Sequence, residues 1–321
     1  METKRSMILT TAFGLLAVLL AETAPAQTIN PGVIDPTNSY AGKTYSEWSA
    51  AWWQHFVSLP STNNPFWNLP AYPFVPLSLQ QSGPVWFLGG NYPLGGTHLY
   101  TNTIPGGVAL FLLIAAHEGD NANCPITNNY SEAQLRAAQK SVVDGVTSMT
   151  CTIDGVAVTG LTDVLTSPYR VQSTVFDYIC PAVHNYLYDH RGLTCYQNSS
   201  GTPYAVAGAV EDGVFLMIAP LSIGPHVIHV TCAFPAFGYV GNFTHYLTVN
   251  PVILVVDAGA QPGNLTLSWP QTPDDYTVES SPSLSPPDWQ PANLIVTTNN
   301  GVLQATAPVG TTNQFFRLRV N

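Results

Sequence analysis

Three residues, His117, Glu118 and Asp120, have types and spacing that could do chemistry. A histidine beside two carboxyl groups can hold a metal ion or act as acid and base. The preceding apolar run, residues 108–116, predicts a buried strand, and we expect the polar residues to enter a loop at its end. The pattern favours polar residues that simply end the strand and have no catalytic role, and a catalytic cluster is the alternative.

A second group of polar and aromatic residues follows Cys180. Proteins grip sugars with such groups, because aromatic faces stack on the ring while Asp, Asn and Arg bind the hydroxyls. We expect an exposed loop here, which is either a ligand-binding surface or a solvated loop without a ligand. Its candidate binding residues are Tyr186, Tyr188, Asp189, His190, Arg191 and Tyr196.

The other histidines are weaker candidates for a metal site or a catalytic site. His226 and His229 are three residues apart in a predicted strand, so they point to opposite faces and cannot share a metal ion. His98 and His229 are further candidates to join His117 in a catalytic cluster. The sequence contains no G-x-S-x-G, P-loop, H-E-x-x-H or dinucleotide-binding motif. We therefore expect no cofactor and no metal site.

All five cysteines are candidates for disulfide bonds, since pairing is the usual state in an oxidising compartment. Closeness in the chain favours one bridge between Cys180 and Cys195 and another between Cys124 and Cys151. Cys232 is then the odd thiol, buried on a strand or paired between chains. Zinc binding is the alternative use of these residues, although no C-x-x-C spacing is present.

The N-terminus has the pattern of an export signal. Lys4 and Arg5 precede an apolar run over residues 8–20, and Ala24-Pro25-Ala26 offers a cleavage site. The run is short for a membrane span, and an uncleaved anchor is the alternative. We expect residues 1–26 to be removed, leaving a protein that is secreted or held in the periplasm or cell envelope without membrane insertion.

Composition argues against some classes of partner. The formal net charge is −10, and only 9% of the residues are charged. Few, scattered Lys and Arg residues cannot build a phosphate-binding patch, so nucleic acid is not an expected partner. Low charge with abundant Thr, Asn, Ser, Gly and Pro is typical of an extracellular β-rich surface.

The segment 44–60 predicts an amphipathic helix. Thr44 and Glu47 match a capping box, and large apolar residues then recur at helical spacing. Such a stripe favours a helix docked on a sheet, and an exposed aromatic binding platform is the alternative. The stripe consists of Tyr45, Trp48, Trp52, Phe56 and Leu59.

Many short strands and one further helix, residues 131–143, make up the remaining prediction. The inner face of that helix is expected to hold Leu135, Ala138 and Val142. Asp154-Gly155 and Glu211-Asp212-Gly213 are expected to be tight turns. This content indicates a mainly β fold, a β-sandwich or jelly roll, with strands over residues 83–90, 98–104, 108–116, 149–158, 169–180, 204–210, 214–221, 226–234 and 243–256.

A composition break predicts two domains. Residues 257–264, which are small and contain Gly and Pro, are expected to link a β-sandwich domain over 27–256 to a small β-module over 265–321. Strands of the second unit are predicted over residues 265–269, 276–280, 302–307 and 314–320.

Three pieces of the first domain are distinctive: "TYSEWSAAWWQHFVSLP", "GPVWFLGG" leading to "TIPGGVALFLLIAAHEG", and "YRVQSTVF" followed by "DGVFLMIAPLSIGPHVIH". Together they resemble a widespread family of exported bacterial proteins without an assigned activity. The resemblance covers most of residues 40–249, and it implies a signal peptide and a β-sandwich body. The tail, from "LTLSWPQTPDDYTVESSPS" to "FFRLRV", is similar to fibronectin type III-like modules, which implies a spacer or adhesion element.

These patterns favour an exported, non-enzymatic β-sandwich protein with an interaction role, such as binding of a glycan or another cell-surface component. The aromatic–polar loop and the lack of a strong catalytic motif support that hypothesis. The alternative is a secreted hydrolase or lyase on a jelly-roll scaffold, in which His117, Glu118 and Asp120 supply the acid, the base or the metal ligands.

Overall fold

The computed structural model describes residues 31–66, 77, 81–90, 96–125, 129–197, 201–261, 263–271, 275–299, 301–310 and 312–320. The predicted export signal, residues 1–26, lies outside this part of the chain. The described chain is mainly β, as the sequence predicts, with its strands in four sheets and with two α-helices. Neither helix is long and apolar enough to cross a membrane.

The first helix, α1, spans Tyr45–Ser58 and begins with the predicted capping box. Thr44 accepts from the backbone N–H of Glu47, and the Glu47 carboxylate accepts from the backbone N–H of Thr44 at 2.7 Å. These bonds satisfy amides that have no partner within the helix. The helix ends at Leu59, which has extended backbone and is followed by Pro60.

The aromatic stripe of α1 is buried, so the prediction of a helix docked on a sheet is confirmed and the exposed platform is wrong. Trp52 is only 3% exposed. Its ring centroid lies 6.3 Å from that of Phe215, and its indole N–H donates to the Leu88 carbonyl at 2.9 Å. Tyr45 packs edge-on against Phe111 at 5.6 Å.

Short strands occupy most of the remaining described chain. Numbered in chain order, they are β1 Val85–Leu88, β2 Gly96–Pro105, β3 Ala109–Gly119, β4 Ser148–Ile153, β5 Val156–Ala157, β6 Arg170–Gln172, β7 Phe176–Cys180, β8 Tyr204–Ile218, β9 Gly224–Phe234, β10 Tyr239–Asn250, β11 Val255–Gln261, β12 Asn264–Pro270, β13 Tyr276–Ser281, β14 Gln290–Pro291, β15 Val296–Asn299, β16 Val302–Pro308 and β17 Phe315–Val320.

Two five-stranded sheets form the main body. The first has the order β1-β3-β8-β6, with β7 also paired to β8, and the second has the order β2-β10-β9-β4-β5. The pairs β1/β3 and β2/β10 are parallel, and the others in these sheets are antiparallel. Side chains of both sheets and of α1 join one hydrophobic cluster. Burial of nearly all of β3 explains its continuous apolar sequence.

The turn predicted at Glu211-Asp212-Gly213 is wrong, because residues 204–218 form one continuous strand, β8. Glu211 and Asp212 are 1% and 2% exposed. The Arg170 guanidinium donates to Asp212 at 2.7 Å from 42 positions earlier in the chain. Gly213 is required by close packing, since a Cβ there would lie 2.3 Å from the Ala116 Cβ. The predicted hairpin turn at Asp154-Gly155 is confirmed, with φ values of 50° and 79°.

The second helix, α2, spans Glu132–Val143 and is capped by Ser131. Its predicted inner face is wrong in part: Leu135 is buried, but Ala138 is exposed and Val142 is only half-buried. Gln139 and Val143 are buried instead. Gln139 faces β3, where its side-chain oxygen hydrogen-bonds with Nδ1 of His117.

The C-terminal strands form two smaller sheets, ordered β11-β12-β16-β15 and β14-β13-β17. In the segment predicted as a linker, residues 257–261 belong to β11 and Asn264 begins β12, which pairs with β11. A separate hydrophobic cluster lies between these strands. A boundary between two domains near residue 256 stays a prediction. The cluster contains Leu267, Trp269, Val278, Ala305 and Ala307.

A buried histidine lies in the core of the second sheet. His245 is 1% exposed, stacks on Tyr100 at 4.8 Å, and hydrogen-bonds through Nε2 with the Gly89 carbonyl at 3.1 Å. Burial lowers the pKa of His245 to about 4, and the bond to Gly89 opposes this. The folded protein therefore holds this imidazole neutral where the unfolded chain would protonate it.

Replacing Trp52 with Ala is expected to lower the free energy of unfolding by about 3–5 kcal/mol, because it removes a buried ring and leaves a cavity. Gln54→Ala, at an exposed site of the same helix, is the control and should cost less than about 1 kcal/mol. Urea unfolding of both variants measures the difference. Equal, small losses in the free energy of unfolding would show that burial of the aromatic stripe contributes little to the stability of the core.

Acidification is expected to destabilise the fold through His245. Its depressed folded-state pKa means that the unfolded state binds more protons below about pH 6.5, so stability falls as the pH falls toward 4. The loss from this residue is about 3 kcal/mol at pH 4. His245→Phe should show a shallower loss between pH 6.5 and pH 4 in urea unfolding. Identical pH dependence in both proteins would contradict this account.

Candidate functional site

A β-bulge at Ile114 sets the direction of the side chains at the end of β3. Leu113 pairs with Phe215 but Ala115 pairs with Val214, so Ile114 is the extra residue. Before the bulge, odd positions face α1, as the stacked rings of Phe111 and Phe215 show. After the bulge the even positions take that face. The bulge therefore turns Glu118 toward α1.

Two of the candidate chemical residues, His117 and Glu118, lie on the strand and not in the predicted loop, and Asp120 directly follows the strand. Strand β3 continues through Gly119, and Glu118 and Asp120 are 6% and 7% exposed. Two carboxyl groups under the surface need hydrogen bonds or opposite charge, because an isolated buried charge is costly. The partners come from the segment 178–191, about 60 to 70 positions later in the chain.

Asp120 forms a buried ion pair with Arg191. Arg191 Nη1 lies 2.7 Å from both carboxylate oxygens of Asp120, and Nη2 donates to the Ala122 carbonyl at 3.0 Å. The Tyr178 hydroxyl donates to Asp120 as well. Burial, together with the neighbouring carboxyl groups of Glu118 and Asp120, raises the pKa of Tyr178, so its hydroxyl keeps its proton. This arrangement neutralises both charges and fixes the Arg191 segment over the end of β3.

Glu118 is held differently. Its Oε2 accepts from the Tyr186 hydroxyl at 3.2 Å and lies 4.0 Å from Arg191 Nη1. In the described chain, no hydrogen-bond partner reaches its buried Oε1. Burial, together with the charge of Asp120, raises the pKa of Glu118 well above its usual value, and Arg191 opposes this. Burial therefore favours the protonated form of this carboxyl group, which can donate a hydrogen bond.

Two imidazoles, those of His117 and His190, line a cleft together with Glu118. His117 hydrogen-bonds through Nδ1 with the side-chain oxygen of Gln139, and its ring stacks on Phe237. His190 stacks on Tyr186 at 4.9 Å. Burial lowers the pKa of His117, and burial followed by the charge of Arg191 lowers the pKa of His190 to about 3. Both rings are therefore neutral at pH 7.

A disulfide bond holds the two halves of the site together, but both predicted pairings are wrong. Cys124 pairs with Cys195 across 71 residues, with a Cα–Cα distance of 5.8 Å. Cys151, Cys180 and Cys232 are buried free thiols, and for Cys232 this matches one of the predicted outcomes. Closeness in the chain misleads here because Cys151 and Cys180 lie on strands that point their thiols into the core.

The proposed exposed aromatic loop is also corrected. Tyr186 and Tyr196 are buried, and Tyr188 is half-buried, so no sugar-stacking surface of free rings forms there. Arg191 is tied to Asp120. The segment turns inward because Asn185, fully buried, accepts from the Tyr188 N–H and donates to the Tyr196 carbonyl at 2.8 Å.

The two groups that the sequence suggested separately meet in one cleft of about 720 Å³. Strand β3 lies at its base, with α2 and the Tyr186–Leu193 segment around it. Of the predicted residues, Tyr188, Asp189, Tyr196, His98 and His229 do not line it. It is lined by His117, Glu118, Gly119, Asp120, Ala122, Asn123, Tyr130, Gln134, Leu135, Ala138, Gln139, Tyr186, His190, Arg191 and Leu193.

A smaller enclosed cavity of about 90 Å³ adjoins the cleft. The two share His117, Glu118, Tyr186 and His190, and aromatic side chains of α1 and the second sheet form most of the cavity wall. Within the described ranges, no group of three or more His, Cys, Asp or Glu side chains could hold a metal ion. The site is thus arranged for hydrogen bonding around one neutral carboxyl group.

Several site residues escaped sequence reasoning. Tyr178, Gln139 and Trp53 contact the site or line its cavities, and Glu211 lies opposite Glu118 in the β3/β8 register. Glu211 did have a local signal, because it is an acidic residue inside an apolar segment. The sequence Glu211-Asp212-Gly213 resembles a tight turn, however, and is predicted as one. The others stand in ordinary helix and strand patterns, so only their long-range contacts mark them.

Comparisons with known proteins assign neither a family nor a function to this chain. No family model and no curated protein matches the chain. A chain in the crystal structure of ICOS in complex with ICOS-L and an anti ICOS-L VNAR domain shows 10% identity and a TM-score of 0.19, covering 70% of this chain and 94% of that one. The structure named BspA_C_mut shows 9% identity and a TM-score of 0.15, covering 67% and 82%. Similarities this low carry no argument about fold or function.

Replacing Arg191 alone is expected to lower the free energy of unfolding more than replacing both members of the Asp120–Arg191 ion pair. Arg191→Met leaves the Asp120 carboxylate buried without its cation, and we expect a loss of about 3 kcal/mol in the free energy of unfolding. The double variant Asp120→Asn/Arg191→Met should lose less, because Asn can still accept from Tyr178. Urea unfolding compares the three proteins. An equal loss in the single and double variants would contradict the proposed burial of an unpaired charge.

Proposed function

We propose that this protein is an exported binding protein whose cleft takes an uncharged, hydroxyl-rich ligand, a unit of a glycan, without changing it covalently. One observation carries the proposal: Glu118 is buried in the cleft, and one of its oxygens lacks a partner among the described residues. Burial favours its protonated form, and a protonated carboxyl group can donate one hydrogen bond and accept another, which is what a sugar hydroxyl requires.

The charge balance of the cleft supports a neutral ligand. Asp120 and Arg191 cancel one another at 2.7 Å. Burial raises the pKa of Glu118 and lowers the pKa of His117 and of His190, so the uncharged form of each of these groups is favoured. A charged ligand would enter without an opposite free charge and would lose its hydration. Polar side chains around the cleft supply donors and acceptors for hydroxyl groups. They include Asn123, Tyr130, Gln134 and Gln139.

Export is supported by the N-terminal sequence pattern and by the Cys124–Cys195 disulfide bond. Disulfide bonds persist in oxidising compartments, and exported proteins reach such compartments. We place the protein outside the cytoplasm, secreted or in the cell envelope, with a cell-surface component as its partner. In this proposal the C-terminal strands act as a fibronectin type III-like spacer that presents the cleft.

The second candidate function is a hydrolase or lyase that uses the same residues. The observation that favours it is that Glu118, His117 and His190 line one cleft. Burial favours the protonated form of Glu118 and the neutral forms of both imidazoles, and an acid and a base in one cleft are the parts of general acid–base catalysis. Glu118 would then protonate a leaving group, and an imidazole would take a proton from the substrate or from water.

Binding of neutral oligosaccharides to residues 27–321 tests the leading proposal by isothermal titration calorimetry. We expect binding of at least one neutral oligosaccharide, with little effect of salt. Glu118→Leu should weaken it at least tenfold, because one buried hydrogen bond contributes about 1–3 kcal/mol. Thr103→Ala, on an exposed edge of β2, is the control and should bind as the wild type does.

The outcomes separate the two functions. Binding without release of new reducing ends or unsaturated products supports the binding role. Turnover that is lost in Glu118→Gln identifies the enzyme instead. If neutral oligosaccharides neither bind nor react, both proposals fail.

A further inference from the structure

The small cavity beside the cleft has walls unlike those of the cleft. It measures about 90 Å³, and rings of Trp52, Trp53, Phe56, Phe66, Phe237 and Phe243 contribute to its wall. The cavity shares lining residues with the cleft, among them Glu118 and Tyr186, and so adjoins it. A ligand in the cleft can therefore place one small group among aromatic rings.

Two polar atoms at this cavity lack partners. Trp53 is 8% exposed, and its indole N–H finds no acceptor in the described part of the chain. Glu118 Oε1 is the second such atom. The Trp53 ring is held edge-on by Trp52 at 5.3 Å, by Phe56 at 5.6 Å and by Tyr186 at 6.1 Å. An unsatisfied buried donor costs about 1–3 kcal/mol, so a ligand that satisfies it gains affinity.

Size limits the group that can enter. A cavity of about 150 Å³ holds benzene, with its six carbon atoms. In proportion, the 90 Å³ here holds about four non-hydrogen atoms. An acetamido group has this size: one methyl group, one carbonyl carbon, one oxygen and one nitrogen.

We propose that the cavity is a specificity pocket for the acetamido group of an N-acetylated amino sugar. The inference rests on the proposed glycan-binding function and deepens it. The carbonyl oxygen of the ligand accepts from the Trp53 indole N–H, its amide N–H donates to Glu118 Oε1, and its methyl group packs among the aromatic rings. Each unpartnered atom thereby gains a partner of the correct polarity.

Other small groups fit less well. A hydroxymethyl group has no methyl end for the aromatic wall. An alkyl group would leave the Trp53 N–H and Glu118 Oε1 unsatisfied. A carboxylate would bring a charge into an apolar cavity near Asp120, which already carries a negative charge, and the cost of desolvation opposes this.

Two matched trisaccharides test the pocket: the β-1,4-linked trimer of N-acetylglucosamine and the β-1,4-linked trimer of glucose, which differ at the C2 substituent. We expect residues 27–321 to bind the acetylated trimer at least tenfold more tightly in calorimetry. Trp53→Phe keeps a ring but removes the N–H, and it should reduce this preference to about twofold or less. Trp48→Phe is the matched control, because Trp48 donates to the Tyr40 carbonyl and lies outside the cavity wall.

N-methylacetamide provides a readout that does not need a sugar. It should shift the NMR signal of the Trp53 indole N–H downfield, and it should leave the signal of Trp48 unchanged. Equal affinity of the wild type for the two trimers, or a preference that survives in Trp53→Phe, overturns the pocket assignment. If another neutral glycan binds through Glu118 while the acetylated trimer does not, the pocket assignment fails and the proposed function stands.

Discussion

Burial of the aromatic face of α1 is the constraint on which the rest of the structure depends. Trp52 packs on Phe215 of the first sheet and donates to the Leu88 carbonyl, which fixes the helix over the β1–β3–β8 surface. The next residue, Trp53, contacts Tyr186 and lines the cavity beside Glu118. One helix therefore supplies both the apolar area that stabilises the sheet and the wall of the candidate site.

The site is assembled from distant segments by polar contacts that need burial to be effective. The bulge at Ile114 turns Glu118 toward α1, and the Asp120–Arg191 pair, with the disulfide bond nearby, holds the later segment across the strand end. Removing charges from water is costly, and here close geometry and additional hydrogen bonds offset the cost. The result is a cleft whose charges cancel internally.

A protonated carboxyl group in a neutral cleft has two uses, recognition and acid catalysis, and it serves both through the same property. Burial stabilises the protonated state of Glu118, so the group can donate a hydrogen bond. The aromatic cavity favours recognition, because two of the residues that line it, Trp53 and Glu118, each have a buried polar atom without a partner in the described chain. The neutral imidazoles are the observation that keeps catalysis under consideration.

Local patterns in the sequence determined the elements whose stability is itself local. The capping box and aromatic stripe of α1, the turn at Asp154-Gly155 and the mainly β class all follow from nearest-neighbour spacing. Tertiary structure alone decided the partner of Cys124, the passage of Glu211 and Asp212 through a buried strand, and the meeting of Glu118 with Tyr186. Charges and thiols take partners by distance in space, and hydrophobic packing sets that distance after the local elements have formed.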